Sequence, residues 1–247
     1  MNKLISTTAA LTLAGATSLS AHAGSFTGNI SASNNYLWRG LTQTTNEPAV
    51  SGGIDYAHDS GFYIGTWASN VQYASDDVFS YEHDIYVGYA GEYNGVSYDF
   101  GYLYYNYDEE GDIDFGELYG SLGYMGFSVT AWLFAHTEND ESNGLANIGR
   151  NYDYGFGSTY YISGDYEVDI YNGLMLGLHV GYHDGDFVDG FNFADGTFDY
   201  FDYNASLSKG GFGFVVSHTD LGGGRGDNGL QNGSVKFVVS YTVDFDF

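Results

Sequence analysis

Thirteen residues at the C-terminal end, Val235 to Phe247, restrict the possible folds more than any other stretch. Alternate positions read Val235, Phe237, Val239, Tyr241, Val243, Phe245 and Phe247 on one side. The other side reads Lys236, Val238, Ser240, Thr242, Asp244 and Asp246. Successive side chains of a strand point to opposite faces, so this is one long strand with an apolar side and a largely polar side, not a helix. About 9–11 tilted residues suffice to cross the hydrocarbon of a bilayer, and this segment is long enough.

The aromatic ending at Phe247 resembles the C-terminal signature of bacterial outer-membrane barrel proteins, which implies recognition by the barrel-assembly machinery. The N-terminal end agrees. Lys3 precedes an uncharged run from Leu4 to Ser20 and then Ala21-His22-Ala23, a small-x-small pattern. This reads as a cleaved signal peptide over 1–23, leaving 24–247 as a single barrel domain. The run is too rich in Ser and Thr, and too short, for a membrane anchor, and no later apolar run is long enough for a membrane helix. Any span is therefore expected to be β. With 37 Gly, 25 Tyr, 18 Phe and one Pro, the composition suits strands and turns, and the absence of Cys leaves stability to a large hydrogen-bonded architecture such as a closed sheet.

The alternation recurs along the chain. Strands are expected through Phe26–Ala32, Val50–Tyr56, Phe62–Ala68, His83–Tyr89, Val96–Tyr104, Leu118–Tyr124, Phe127–Leu133, Tyr160–Ile170, Leu174–Val180, Phe201–Leu207, Phe212–Val216 and Val235–Phe247. Short turns at His58–Gly61, Asn94-Gly95, Met125-Gly126, Asn172-Gly173 and Gly210-Gly211 alternate with longer loops, the first running from Arg39 to Glu47. The fold expected is all-β, a transmembrane antiparallel up-and-down barrel of about 12 strands, with the short turns on the periplasmic side. A secreted β-sandwich also alternates, but here the apolar set recurs at near-membrane length and every basic residue after position 23 avoids it.

The stretches Tyr36-Leu37-Trp38-Arg39-Gly40, Pro48 to Tyr56, Gly61 to Asn70 and Tyr81 to Tyr89 are similar to the TorF family of porin-like proteins. The resemblance spans essentially the whole chain after position 23 and implies an outer-membrane barrel, with Arg39 as the family-like basic residue at a strand end. Trp38 departs from the family's pattern, where a smaller neighbour is expected.

Taking the parity opposite to the apolar face places Asp55, Asp84, Asp99, Glu117, Asp165, Glu167, Asp169, Asp202, Asp244 and Asp246 inward, opposed on the strands by Lys236. With 32 Asp and Glu against 6 Lys and Arg, the net charge is −26, which excludes nucleic acid as a partner and favours cations. A porin-like channel for passive diffusion of small solutes follows, its acidic lumen favouring cations. Asp165, Glu167 and Asp169 share one face of one strand, ~6–7 Å apart, and their repulsion favours bound cations. Arg39 is expected to pair with a wall carboxylate or to form a rim salt bridge worth less than about 1 kcal/mol. Membrane lipid and lipopolysaccharide complete the expected partners.

Two acidic loop clusters, Asp108 to Asp114 and Asp184, Asp186 and Asp189, match no dedicated metal motif, so no metal site and no cofactor are expected. A lipase- or protease-type barrel enzyme is the competing class, but the histidines assemble no triad, and His179 and His183, four apart on a strand, are ~13 Å from each other. No catalytic residue is assigned. A structural or adhesive surface barrel is the third class.

Overall fold

The structure, a computed structural model, describes residues 24–138, 153–187, 199–221 and 230–247. The proposed signal peptide over 1–23 and Asp189 lie outside the described residues. Twelve strands close an antiparallel barrel: β1 (Ser25–Ser33), β4 (Ala49–Ala57), β5 (Phe62–Asn70), β6 (Tyr81–Tyr93), β7 (Val96–Tyr107), β8 (Phe115–Tyr124), β9 (Phe127–Thr137), β10 (Thr159–Tyr171), β11 (Leu174–Gly185), β12 (Tyr200–Lys209), β13 (Phe212–Thr219) and β14 (Lys236–Asp246). Each strand pairs with its neighbours in sequence, and β14 returns to β1 in a register that sets Ile30 opposite Val243 and Thr27 opposite Asp246. The amide of Phe247 continues this pairing by donating to the carbonyl of Phe26 at 3.1 Å, and its ring lies over Gly28, where a Cβ would come within 3.1 Å of the ring. Among the described residues no helix is long and apolar enough to cross a membrane.

Local chemistry sets the up-and-down order. Asn94-Gly95, Met125-Gly126, Asn172-Gly173 and Gly210-Gly211 each place two consecutive residues at positive φ. Two such residues make the turn whose twist matches that of the flanking strands, so each hairpin closes over two residues. The intervening connections at the other end of the barrel are longer. Outward positions such as Ile54, Ile85, Leu122, Val129, Leu178 and Val239 expose about half of their surface around the barrel. A continuous apolar exterior of this kind requires lipid rather than water.

The first long connection differs from the plain loop expected over Arg39–Glu47. It contains a tight hairpin, β2 (Leu37–Trp38) and β3 (Leu41–Thr42), with Leu37 opposite Thr42 and Trp38 opposite Leu41. Arg39 at φ 49° and Gly40 at φ 79° form its two-residue turn, the same local geometry as the short turns at the opposite end. The hairpin lies inside the barrel. Tyr36 joins an aromatic cluster with Tyr105, Tyr107, Phe115 and Phe134, Leu37 packs with Val215 and Val238, and Leu41 packs with Tyr200 and Leu221. Three apolar side chains thus tie one hairpin to three separate parts of the wall.

The exterior generates a direct test. Leu178→Arg and Val239→Arg are each expected to destabilise the barrel by about 2–4 kcal/mol, because a guanidinium near the bilayer midplane loses its hydration. Ser206→Arg, on the inward face, is expected to change stability by well under half of that. Urea unfolding in lipid vesicles checks the difference.

Candidate functional site

The hairpin brings Arg39 to the middle of the lumen on the long-connection side. The guanidinium meets Glu117 of β8 in a two-pronged pair, Nη1 to Oε1 at 3.0 Å and Nη2 to Oε2 at 2.5 Å. Both side chains are buried, so this is not the rim salt bridge weighed from the sequence. Aromatic rings surround the cation, with its central carbon 4.3 Å from the ring centre of Trp38, 4.4 Å from Tyr161 and 5.5 Å from Trp132. Burial alone lowers the proton affinity of Arg39, but the Glu117 carboxylate more than offsets it and the net direction is upward, so the charge is retained.

A ring of hydrogen bonds fixes the hairpin tip. Arg39 Nη1 lies 3.0 Å from His183 Nε2, His183 Nδ1 lies 3.2 Å from the Tyr200 hydroxyl, and that hydroxyl donates to the Arg39 carbonyl at 3.1 Å. Guanidinium can only donate, so Nε2 accepts and the imidazole proton sits on Nδ1, facing Tyr200. Side chain and backbone of Arg39 are therefore held by one closed circuit, which stabilises a backbone conformation uncommon for a residue with a Cβ. Gly40 beside it has no such freedom, since a Cβ there would stand 2.6 Å from Thr219 and 2.8 Å from Asp202.

The remaining inward residues fall into separate groups. Glu82 accepts from the hydroxyls of Tyr36 and Tyr107, each at 2.7 Å. Tyr36 lies outside the spanning strands, and burial, reinforced by Glu82, raises its proton affinity and keeps it a donor. Asp55 accepts from Tyr86 at 2.5 Å and Asp99 from Tyr63 at 2.7 Å. Lys236 donates to the Asn46 side chain at 2.5 Å and the Leu230 carbonyl at 3.0 Å, tying β14 to the segment that follows the hairpin. Asp244 and Asp246 keep the inward parity of β14 but are exposed at its short-turn end.

The three carboxylates expected as a row on β10 share its inward parity and stand in three different environments. Asp165 meets His179 Nδ1 at 2.6 Å and Ser163 at 3.0 Å, Asp169 accepts the Gly173 amide at 3.0 Å, and Glu167 between them is exposed. His179 also reaches Asp202 through Nε2 at 2.9 Å, and Tyr161 donates to Asp202 at 2.9 Å. Sequence reasoning weighed His179 only against His183 as a zinc pair, whereas each imidazole serves a different network. In the acidic loop, Asp108 accepts from the Ser80 side chain and amide and Asp114 from Tyr104, Asn106 and the Tyr107 amide, so both brace the loop.

A family profile described as "Bacterial protein of unknown function (Gcw_chp)" matches residues 15–238. The chain belongs to the Gcw_chp family. No curated protein matches the sequence. This Gcw_chp chain is similar in fold to a membrane protein solved in a study of in-meso crystallization, at 11% identity and a TM-score of 0.53, over 90% of this chain and 84% of that one. A KdgM porin aligns at 12% identity and a TM-score of 0.49 over 90% and 99% of the two chains. The outer-membrane protein opdK of Pseudomonas aeruginosa aligns at 14% identity and a TM-score of 0.39, over 81% of this Gcw_chp chain and 58% of its own.

The ion pair at the hairpin tip carries a measurable cost when broken. Arg39→Met leaves Glu117 buried without its cation and is expected to destabilise the barrel by about 3–5 kcal/mol. Adding Glu117→Gln to that variant removes the stranded charge and is expected to recover part of the loss. Urea unfolding of the two variants and wild type in lipid vesicles checks both.

Proposed function

We propose that this protein is an outer-membrane, porin-like channel through which small solutes diffuse passively, with an acidic lumen that favours cations. The single observation that carries the reading is the neutralisation of Arg39 by Glu117. With the cation of the hairpin cancelled, the charged inward groups that keep some exposure are mainly carboxylates, Asp55, Asp99, Asp165, Glu167, Asp169 and Asp244, whereas Asp84, Asp202 and Lys236 are buried in the wall. Carboxylates along a narrow aqueous path raise the local cation concentration and repel anions.

The resemblance to the TorF porin-like proteins and the closed barrel with its apolar exterior support the same reading. Export by the segment 1–23, recognition of the Phe247 end by the assembly machinery, and contact of the long acidic loops with lipopolysaccharide belong to it. The hairpin of Arg39 serves as the constriction, because it crosses the lumen and is tied to opposite walls. A hydrolytic role gains no support from His179, whose ring nitrogens face two carboxylates and a phenol rather than a serine or threonine hydroxyl.

Planar-bilayer recording in a salt gradient tests the reading. Wild type is expected to conduct with a reversal potential of cationic sign, and the combined Glu167→Gln, Asp169→Asn and Asp244→Asn variant to lie closer to zero. An absence of conductance, or anion selectivity, would contradict it.

A further inference from the structure

Between the hairpin and the short turns, one patch of the wall from β4 to β8 combines aromatic rings with carboxylates. Asp55 of β4, Tyr86 of β6, Asp99 of β7 and Tyr119 of β8 each keep part of their surface open, and in a closed barrel their inward parity turns that surface to the lumen. Tyr86 pairs directly across the sheet with Gly65, Tyr63 with Gly88 and Tyr119 with Gly101. A Cβ at any of these glycines would run into the paired ring. Tyr86 and Tyr119 therefore lie along the wall over bare backbone, each with a ring face turned to the lumen. Their hydroxyls are tied down as well. Tyr86 donates to Asp55 at 2.5 Å and Tyr63 to Asp99 at 2.7 Å. The Tyr119 hydroxyl meets that of Tyr63 and donates to it, because the Tyr63 proton is already given. Both carboxylates receive their phenol on Oδ1, and among the described residues no group takes Oδ2 of either.

We infer that this patch binds small organic cations with a methylated ammonium head, and that these are the solutes the lumen favours. Fixed ring faces attract a cation that sheds its water easily, and the remaining carboxylate oxygens supply the opposite charge beside them. The protein uses the same chemistry on itself, since the Arg39 guanidinium stands over the rings of Trp38 and Tyr161. An alkali ion would give up tight hydration here and find few oxygens in exchange, so flat rings suit it poorly. A neutral solute of the same shape would meet the same faces and gain nothing from the charge. The solute class rests on the channel proposed above, whereas binding to the patch does not require conduction.

Saturation transfer from the full chain to the methyl protons of tetramethylammonium tests this, in micelles of a deuterated detergent without an ammonium head. Tetramethylammonium is expected to bind wild type at least about tenfold tighter than the neutral tert-butanol, and to stay bound when potassium chloride is added at the same concentration. Tyr86→Leu combined with Tyr119→Leu keeps apolar bulk but removes the rings, and is expected to weaken binding about tenfold. No binding to wild type, equal binding of tert-butanol, displacement by the equal concentration of potassium, or unchanged binding in the double variant would each overturn the inference. If the variant does not fold, the two wild-type comparisons decide alone. Because binding is read at equilibrium, a barrel that bound the cation and passed no current would fail only as a channel. One that conducted potassium and bound no tetramethylammonium would overturn the solute assignment alone.

Discussion

A buried guanidinium beside a buried carboxylate organises the interior of this barrel. Arg39 and Glu117 are each costly alone in a dry environment, and together they satisfy charge and hydrogen bonding at once. That pairing requires the hairpin to reach across the lumen. Its tip is then locked by His183 and Tyr200, and its flanks by Tyr36, Leu37 and Leu41 against separate walls. The aromatic filling of β5 to β9 on the long-connection side follows from the same need, since dry surroundings strengthen the pair and the pair makes a dry filling tolerable.

The two ends of the lumen consequently differ. Near the long connections the interior is packed with Tyr, Phe and Trp side chains and the hairpin. Toward the short turns many of the inward residues are small or acidic, including Ser97, Ser121, Ser206, Glu167, Asp169 and Asp244, and several are exposed. In the proposed channel, solutes drawn by the carboxylates at that end would meet the constriction at Arg39, where the charge is already cancelled, so that sign would be selected at one end and size at the other.

Much of the architecture was legible from the two-residue period. The outward set on β14, the turns at Asn94-Gly95 and Asn172-Gly173, and the inward parity of Glu117, Asp165 and Asp202 all follow from alternation and turn chemistry. The partner of Asp165 was less legible. An uninterrupted hairpin about Asn172-Gly173 would set Asp165 opposite Val180, but an irregularity between Asp169 and Tyr171 shifts the register by one and sets it opposite His179. The hairpin at Arg39 was also hidden, because two strands of two residues carry no periodic signal. The positive-φ potential of Arg39-Gly40 was its available trace, and the tertiary circuit around Arg39 further stabilises that turn.

The proposed channel requires that the inward parity line an acidic aqueous lumen, and the absence of native cysteine makes that lumen accessible to thiol chemistry. Single-cysteine proteins carrying Glu167→Cys or Leu178→Cys, reconstituted in lipid, are treated with membrane-impermeant methanethiosulfonates of either charge. Glu167→Cys is expected to react, faster with the cationic reagent than with the anionic one, and Leu178→Cys to stay unmodified. Preferential reaction with the anionic reagent, or modification at Leu178→Cys alone, would contradict the account.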